Sequence, residues 1–122
     1  MDIEVLRQHC LSKKGTTEEF PFDKDTLVFK VMGKMFALVP LEEWEAGKSS
    51  VSLKCDPEYN EELKGQYDSI GSGPYLNNKH WNRVSIYMGD LSPQFILKLI
   101  DHSYDIVVKG LTKKLRSDLN DL

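Results

Sequence analysis

A chain of 122 residues, 40% hydrophobic and 29% charged, has the size and balance of one globular domain able to bury a core without disulfides or metal. The formal net charge of −3 argues against indiscriminate polyanion binding, and no run approaches the roughly 18 apolar residues of a spanning helix. The start Met1-Asp2-Ile3-Glu4 has no basic stretch followed by an apolar one, so a cytoplasmic location is expected.

Asp2 is a good N-cap, and Ile3, Leu6 and Cys10 share one helical face, which predicts a short amphipathic first helix. Lys13 and Lys14 suit its last turn, and Gly15 suits a left-handed exit. Thr16 to Asp25 reads as an acidic loop in which Phe20-Pro21-Phe22 tucks over the edge of a core. Thr26 to Val31 alternates, with Leu27, Phe29 and Val31 on one side and Val28 and Lys30 on the other. Gly33 sits where a tight hairpin needs a permissive residue, Met35 to Val39 returns antiparallel, and Pro40 ends the strand for want of an N–H. Leu41 to Ser50 is a loop or one helical turn around Trp44, and Val51 to Cys55 is a third strand.

Asp56-Pro57 is an N-cap with a first-turn proline, opening a helix whose stripe Tyr59, Leu63, Tyr67 and Ile70 stops at Gly71. A turn over Gly71 to Pro74 and extended chain lead to a fourth strand, Arg83 to Met88, with Val84, Ile86 and Met88 inward. Ser92-Pro93 repeats the start signal for a final helix carrying Ile96, Ile100, Tyr104, Val107, Val108, Leu111 and Leu115 on one broad face, after which Ser117 to Leu122 frays. Hairpin-linked strands with helices set apart predict a single α+β domain over residues 1–122. Its antiparallel sheet is covered on one face by helices and open on the other.

Catalytic and metal signatures are missing from this pattern. Asp101-His102-Ser103 has the composition of a triad, but consecutive helical residues point about 100° apart and cannot converge on one reacting atom. There is no Gly-x-Ser-x-Gly turn, phosphate-cradling loop or His-Glu-x-x-His pair. Cys10 and Cys55 are far apart and read as small buried hydrophobes, and the three histidines have no zinc-ligand spacing. A non-enzyme with no metal and no cofactor is expected.

Four segments carry a resemblance. The run Tyr75-Leu76-Asn77-Asn78-Lys79-His80-Trp81-Asn82-Arg83-Val84, the hairpin Phe29 to Phe36, the helix start Ser92-Pro93, and Ser103-Tyr104 with Val107-Val108 occur in this order in a chain of this size. Together the chain resembles the MmcQ/YjbR family of small bacterial proteins, from the first helix to Arg116. The resemblance implies a frataxin-like (CyaY-like) α+β fold and DNA binding through two wing-like hairpins, a double wing. Matched onto this sequence, the wings are the Lys30 to Met35 hairpin and the Asn77 to Arg83 segment.

On that reading Lys30, Lys34, Lys79 and Arg83 neutralise phosphates of double-stranded DNA, while His80 and Trp81 lie among them, Trp81 as a stacking or wedge residue. Trp81 also suits an anchor packed over the sheet edge, and the hairpin lysines suit a charged tip that discourages edge pairing. Residues 64–116 carry a balance of +4 and the remainder −7, so folding can hold one cationic side. A second reading is a protein-interaction module using the open sheet face. A third, iron on an acidic first helix, departs from the sequence, which offers only Asp2 and Glu4 there beside Arg7, Lys13 and Lys14.

Overall fold

A computed structural model describes all residues, Met1 to Leu122. The elements are α1 (Ile3–Leu11), β1 (Thr16–Glu19), β2 (Thr26–Val31), β3 (Lys34–Pro40), α2 (Leu41–Glu45), β4 (Ser50–Lys54), α3 (Pro57–Gln66), β5 (Ile70–Gly71), β6 (Trp81–Ser85), α4 (Pro93–Lys109) and α5 (Lys113–Asn120), with a 3₁₀ turn at Ile86–Met88. The six strands form one antiparallel sheet in the order β1-β2-β3-β4-β6-β5. The α+β class and helix-covered sheet are therefore as the pattern implies. No helix is long and apolar enough to cross a membrane.

The start signals operate as their chemistry dictates. Asp2, Asp56 and Ser92 each accept a backbone N–H of the first turn that follows, and proline stands at the start of both α3 and α4. The β2–β3 turn places Met32 and Gly33 at φ of 50° and 82°, the paired left-handed geometry that matches the twist of a two-residue hairpin.

Several boundaries differ from the pattern. Thr16–Glu19 is not loop but the edge strand β1, held to β2 in register and fastened by a two-pronged Arg7–Glu18 pair at 2.5 and 2.8 Å. Its Thr-Thr-Glu-Glu sequence has no apolar alternation, so its partners rather than its composition make it a strand. Helix α1 ends at Leu11, leaving Lys13 and Lys14 beyond it. Helix α3 ends at Gln66, and Ile70–Gly71 is a short edge strand. Strand β6 starts at Trp81 and ends at Ser85, so Met88 lies exposed on the 3₁₀ turn instead of inward. Gly110 ends α4, and Thr112 caps a separate helix α5 whose Leu119 is buried; the chain end is packed rather than frayed. Phe20 and Phe22 are exposed, not tucked over the core.

The core lies between one sheet face and helices α1, α3 and α4, with Phe29, Phe36, Val51, Leu53 and Val84 meeting Leu6, Ile96 and Ile100. One turn of α4 fastens the neighbours. Strands β3 and β4 pair only at Ala37–Leu53 and Leu38–Ser52 and then part. There the buried Ser103 hydroxyl donates to the Phe36 carbonyl at 2.6 Å and accepts the Lys54 N–H at 2.8 Å. Asp101 meets His9 and Lys13 of the α1 end, both at 2.6 Å. His102 accepts the Asp56 N–H at 3.2 Å, and the Tyr104 hydroxyl donates to the Lys14 carbonyl at 2.5 Å. The Asp-His-Ser sequence thus diverges to three different elements.

Candidate functional site

Strand alternation sends Thr26, Val28, Lys30, Leu38, Ser52, Lys54, Trp81 and Arg83 to the sheet face away from the helices, since Leu27, Phe29, Leu53 and Val84 occupy the core. Register fixes which of these are neighbours. Lys54 stands opposite Trp81, and Ser52 opposite Arg83.

The candidate phosphate contacts fall into two groups. Lys30 pairs with Glu19 of β1 at 3.6 Å, and the Arg83 guanidinium is joined to the Glu43 carboxylate of α2. Both cations are part-buried and already neutralised. Lys34 at the hairpin tip and Lys79 in the β5–β6 loop are exposed and have no ion-pair partner. Trp81 is buried and His80 is half-buried, so the indole anchors the segment instead of projecting from it. The His80 carbonyl accepts the Cys55 N–H at 2.8 Å.

The β5–β6 loop is clamped from α3. The buried Asn60 amide donates to the carbonyls of Asn78, Lys79 and Trp81 at 3.1, 3.2 and 3.0 Å, and Lys64 Nζ reaches the Asn78 carbonyl at 2.8 Å. Asn82 completes the arrangement by donating to Asn60 Oδ1 at 3.0 Å. Lys79 is thereby presented from a fixed backbone.

One cation escaped the sequence reading. Lys54 ends β4 at the edge where β3 begins and β6 begins, so Lys34, Lys54 and Lys79 all lie at the hairpin end of the sheet, Lys54 on the open face and Lys34 opposite Val31 on the core side. The signal was present, because Lys54 is out of phase with the core residues Val51 and Leu53. The opposite end is acidic: Asp23, Asp25, Glu42, Glu43 and Glu45 lie in the β1–β2 loop and α2. N–H groups of Thr26 and Asp25 hold the Asp23 carboxyl below its usual range. Glu58 and Glu61 share a surface groove with Lys64 and Lys79, so the cationic end is not purely positive.

The open face also holds a cleft of about 450 Å³. The β1–β2 loop walls it from one side and the β5–β6 loop from the other, with Leu38, Ser50 and Ser52 between them and the Glu43–Arg83 pair beside them. Gly73 brings the second loop down onto the sheet: a Cβ there would lie 3.6 Å from the Arg83 Cβ and 3.8 Å from the Ser52 hydroxyl. Phe22 and Tyr75, one from each loop, line the cleft and are largely exposed. Tyr75 adopts φ of 65°, a left-handed conformation uncommon and costly for an aromatic residue. No group of three or more His, Cys, Asp or Glu side chains is arranged to hold a metal ion.

This fold has counterparts. The YjbR family model matches residues 11–106. The chain belongs to the YjbR family. It is 33% identical over 122 residues, all of both chains, to the Escherichia coli K12 protein named "Uncharacterized protein YjbR". It is 35% identical over 96 residues, 78% of this chain and 75% of the relative, to "Uncharacterized protein YbdF" of E. coli O157:H7. Among solved structures, Deinococcus radiodurans protein DR2400, of the DUF419 domain family, superposes with a TM-score of 0.84 at 36% identity, covering 97% of this chain and 87% of that one. A Pseudomonas syringae protein at 24% identity shares the fold, with a TM-score of 0.71 over 87% of this chain and 98% of its own.

Proposed function

We propose that this YjbR protein is a non-catalytic DNA-binding protein that contacts the phosphate backbone weakly and without sequence preference, using the hairpin end of its sheet. What supports the reading is that three cations without carboxylate partners, Lys34, Lys54 and Lys79, lie at the one sheet end where β3 and β6 begin and β4 stops. Lys30 and Arg83 contribute only by exchanging Glu19 and Glu43 for phosphate. His80 and Trp81 hold the second wing in shape rather than reading bases. The acidic far end keeps the molecule soluble and orients it on a polyanion.

The test is fluorescence anisotropy with a duplex oligonucleotide across a salt series. Each phosphate neutralised contributes a slope of roughly −0.9 to log affinity against log salt, so replacing Lys34, Lys54 and Lys79 with alanine flattens the slope by about 2 to 3. Absence of saturable binding at ~50 mM salt, where nonspecific phosphate contacts are strong, removes the proposal.

A second reading, a protein-interaction module on the open face, draws support from the exposed Phe22 and Tyr75 at the cleft rim. It predicts a partner whose binding survives nuclease treatment and is lost on replacing both aromatics with alanine.

A further inference from the structure

We propose that the open-face cleft between the 20–25 and 72–80 loops is a binding site for a single unpaired nucleobase. The volume of about 450 Å³ falls in the range of small-ligand sites, roughly 300–1,000 Å³. Two features select a flat heterocycle. Phe22 and Tyr75 stand exposed on opposite rims, so each ring is available for a planar ring to stack on without regard to its identity.

The Glu43–Arg83 pair supplies the second feature. Only Arg83 Nη2 and Glu43 Oε1 are engaged with each other, which leaves Arg83 Nη1 and Nε as donors beside Glu43 Oε2 as an acceptor. A donor next to an acceptor matches the hydrogen-bonding edge that a nucleobase carries and an aliphatic or simple aromatic ligand lacks. The pair is part-buried, with side-chain exposures of 32% and 33%, so its remaining groups are presented from a fixed ion pair. Leu38, Pro40 and Met35 supply an apolar lining for the ring. Tyr75, left-handed in its backbone, has its ring exposed at the rim rather than packed on the sheet.

For its source of bases the inference rests on the nucleic-acid reading, but it adds Phe22 and Tyr75, keeps the Glu43–Arg83 pair intact, and takes a different strand state. The base comes either from single-stranded nucleic acid or from a free nucleoside, and the experiment separates them. Full-length protein is titrated with a labelled single-stranded oligonucleotide and with an abasic oligomer of equal length and charge. Guanosine and adenosine titrations are followed by amide chemical shifts.

Stacking of one base predicts about tenfold or more tighter binding of the base-bearing strand than of the abasic one. That margin disappears in the Phe22→Ala/Tyr75→Ala variant while abasic affinity is retained. Glu43→Gln, nearly isosteric, is the companion variant and also narrows the margin. Equal affinity for both oligomers overturns the cleft proposal and leaves phosphate binding intact. If neither oligomer binds, the DNA reading fails. Saturable nucleoside-induced shifts at Phe22, Tyr75 and Arg83 then support the cleft as a free-nucleoside site, and their absence overturns it.

Discussion

Replacing Ser103 with alanine tests the claim that one hydroxyl bridges the split between β3 and β4. Ser103 is fully buried, donates to the Phe36 carbonyl at 2.6 Å, and accepts the Lys54 N–H at 2.8 Å. Alanine leaves both backbone groups without partners at the point where the strands have already parted. An orphaned buried polar group costs about 1–3 kcal/mol, and the pair together would cost up to twice that. Two effects reduce the sum. Lys54 is only half-buried, so water reaches its N–H, and removing the hydroxyl relieves its own desolvation. The expected loss is about 2–4 kcal/mol, a fall in Tm of about 3–5 °C for each kcal/mol in a domain this size. Urea unfolding followed by circular dichroism measures it, with the midpoint lowered and the slope unchanged. Hydrogen exchange at the Lys54 amide supplies the direct readout, since its protection drops more than that of Leu53. A loss below about 0.5 kcal/mol, the scale of an ordinary surface substitution, refutes the bridging role.

Asn60→Ala removes the donor shared by three loop carbonyls and the acceptor for Asn82, and should cost about 2–4 kcal/mol with faster amide exchange over residues 77–82. A loss confined to stability, with the loop still protected, contradicts the clamp. Burial lowers the His102 pKa below its ordinary 6.5, against the opposing pull of Asp56 and Asp105 and with Lys109 acting in the same direction. The unfolded chain therefore binds the extra proton first. Stability is full above about pH 6.5 and falls as pH drops toward the folded pKa; His102→Gln, which still accepts the Asp56 N–H, removes that slope in urea midpoints measured from pH 5 to 8. Burial raises the Cys10 thiol to about 12 and the Cys55 thiol to about 11. A thiol reagent at pH 8 should accordingly label both only at the rate of unfolding, and fast labelling of folded protein contradicts their burial.

The legible parts of the fold were those fixed by local chemistry. Asp2, Asp56-Pro57 and Ser92-Pro93 cap helices because a side-chain oxygen meets orphan N–H groups a few residues away, and Met32-Gly33 turns because of its own backbone. Strand β1 was illegible for the opposite reason: its Glu18 is made compatible with a sheet by Arg7, eleven residues earlier, and its Glu19 by Lys30. Gly110 alone did not announce the end of α4, since the apolar spacing continues through Leu111 and Leu115 on a new helix axis.

The site divided in the same way. Exposure of Lys34 and Lys79 follows from their turn and loop positions. The neutralisation of Arg83 does not, because Glu43 lies forty residues away on a helix that only the β3–β4 connection brings alongside.

The divergence that disqualifies Asp101, His102 and Ser103 as a triad also explains what they do. Side chains about 100° apart on one turn reach different neighbours, and here they reach the α1 end, the α3 cap and the β3–β4 split, while Tyr104 reaches the turn after α1. These bonds commit the whole helical layer to one sheet face. Parting that layer from the sheet would break the buried Ser103–Phe36 hydrogen bond, which a weak contact would not repay. Away from that layer the sheet offers two chemically distinct surfaces: unpaired lysines at its hairpin end, with Lys54 on the open face and Lys34 beside Val31 on the core side, and an aromatic-rimmed cleft toward the acidic end. Under the two proposals phosphate binds the first, while Asp23 and the Glu43 that already holds Arg83 oppose its entry to the second, where a neutral planar ring meets no such opposition. Under the two proposals together, a ligand carrying both groups along its length, as a single strand does, would use both surfaces at once.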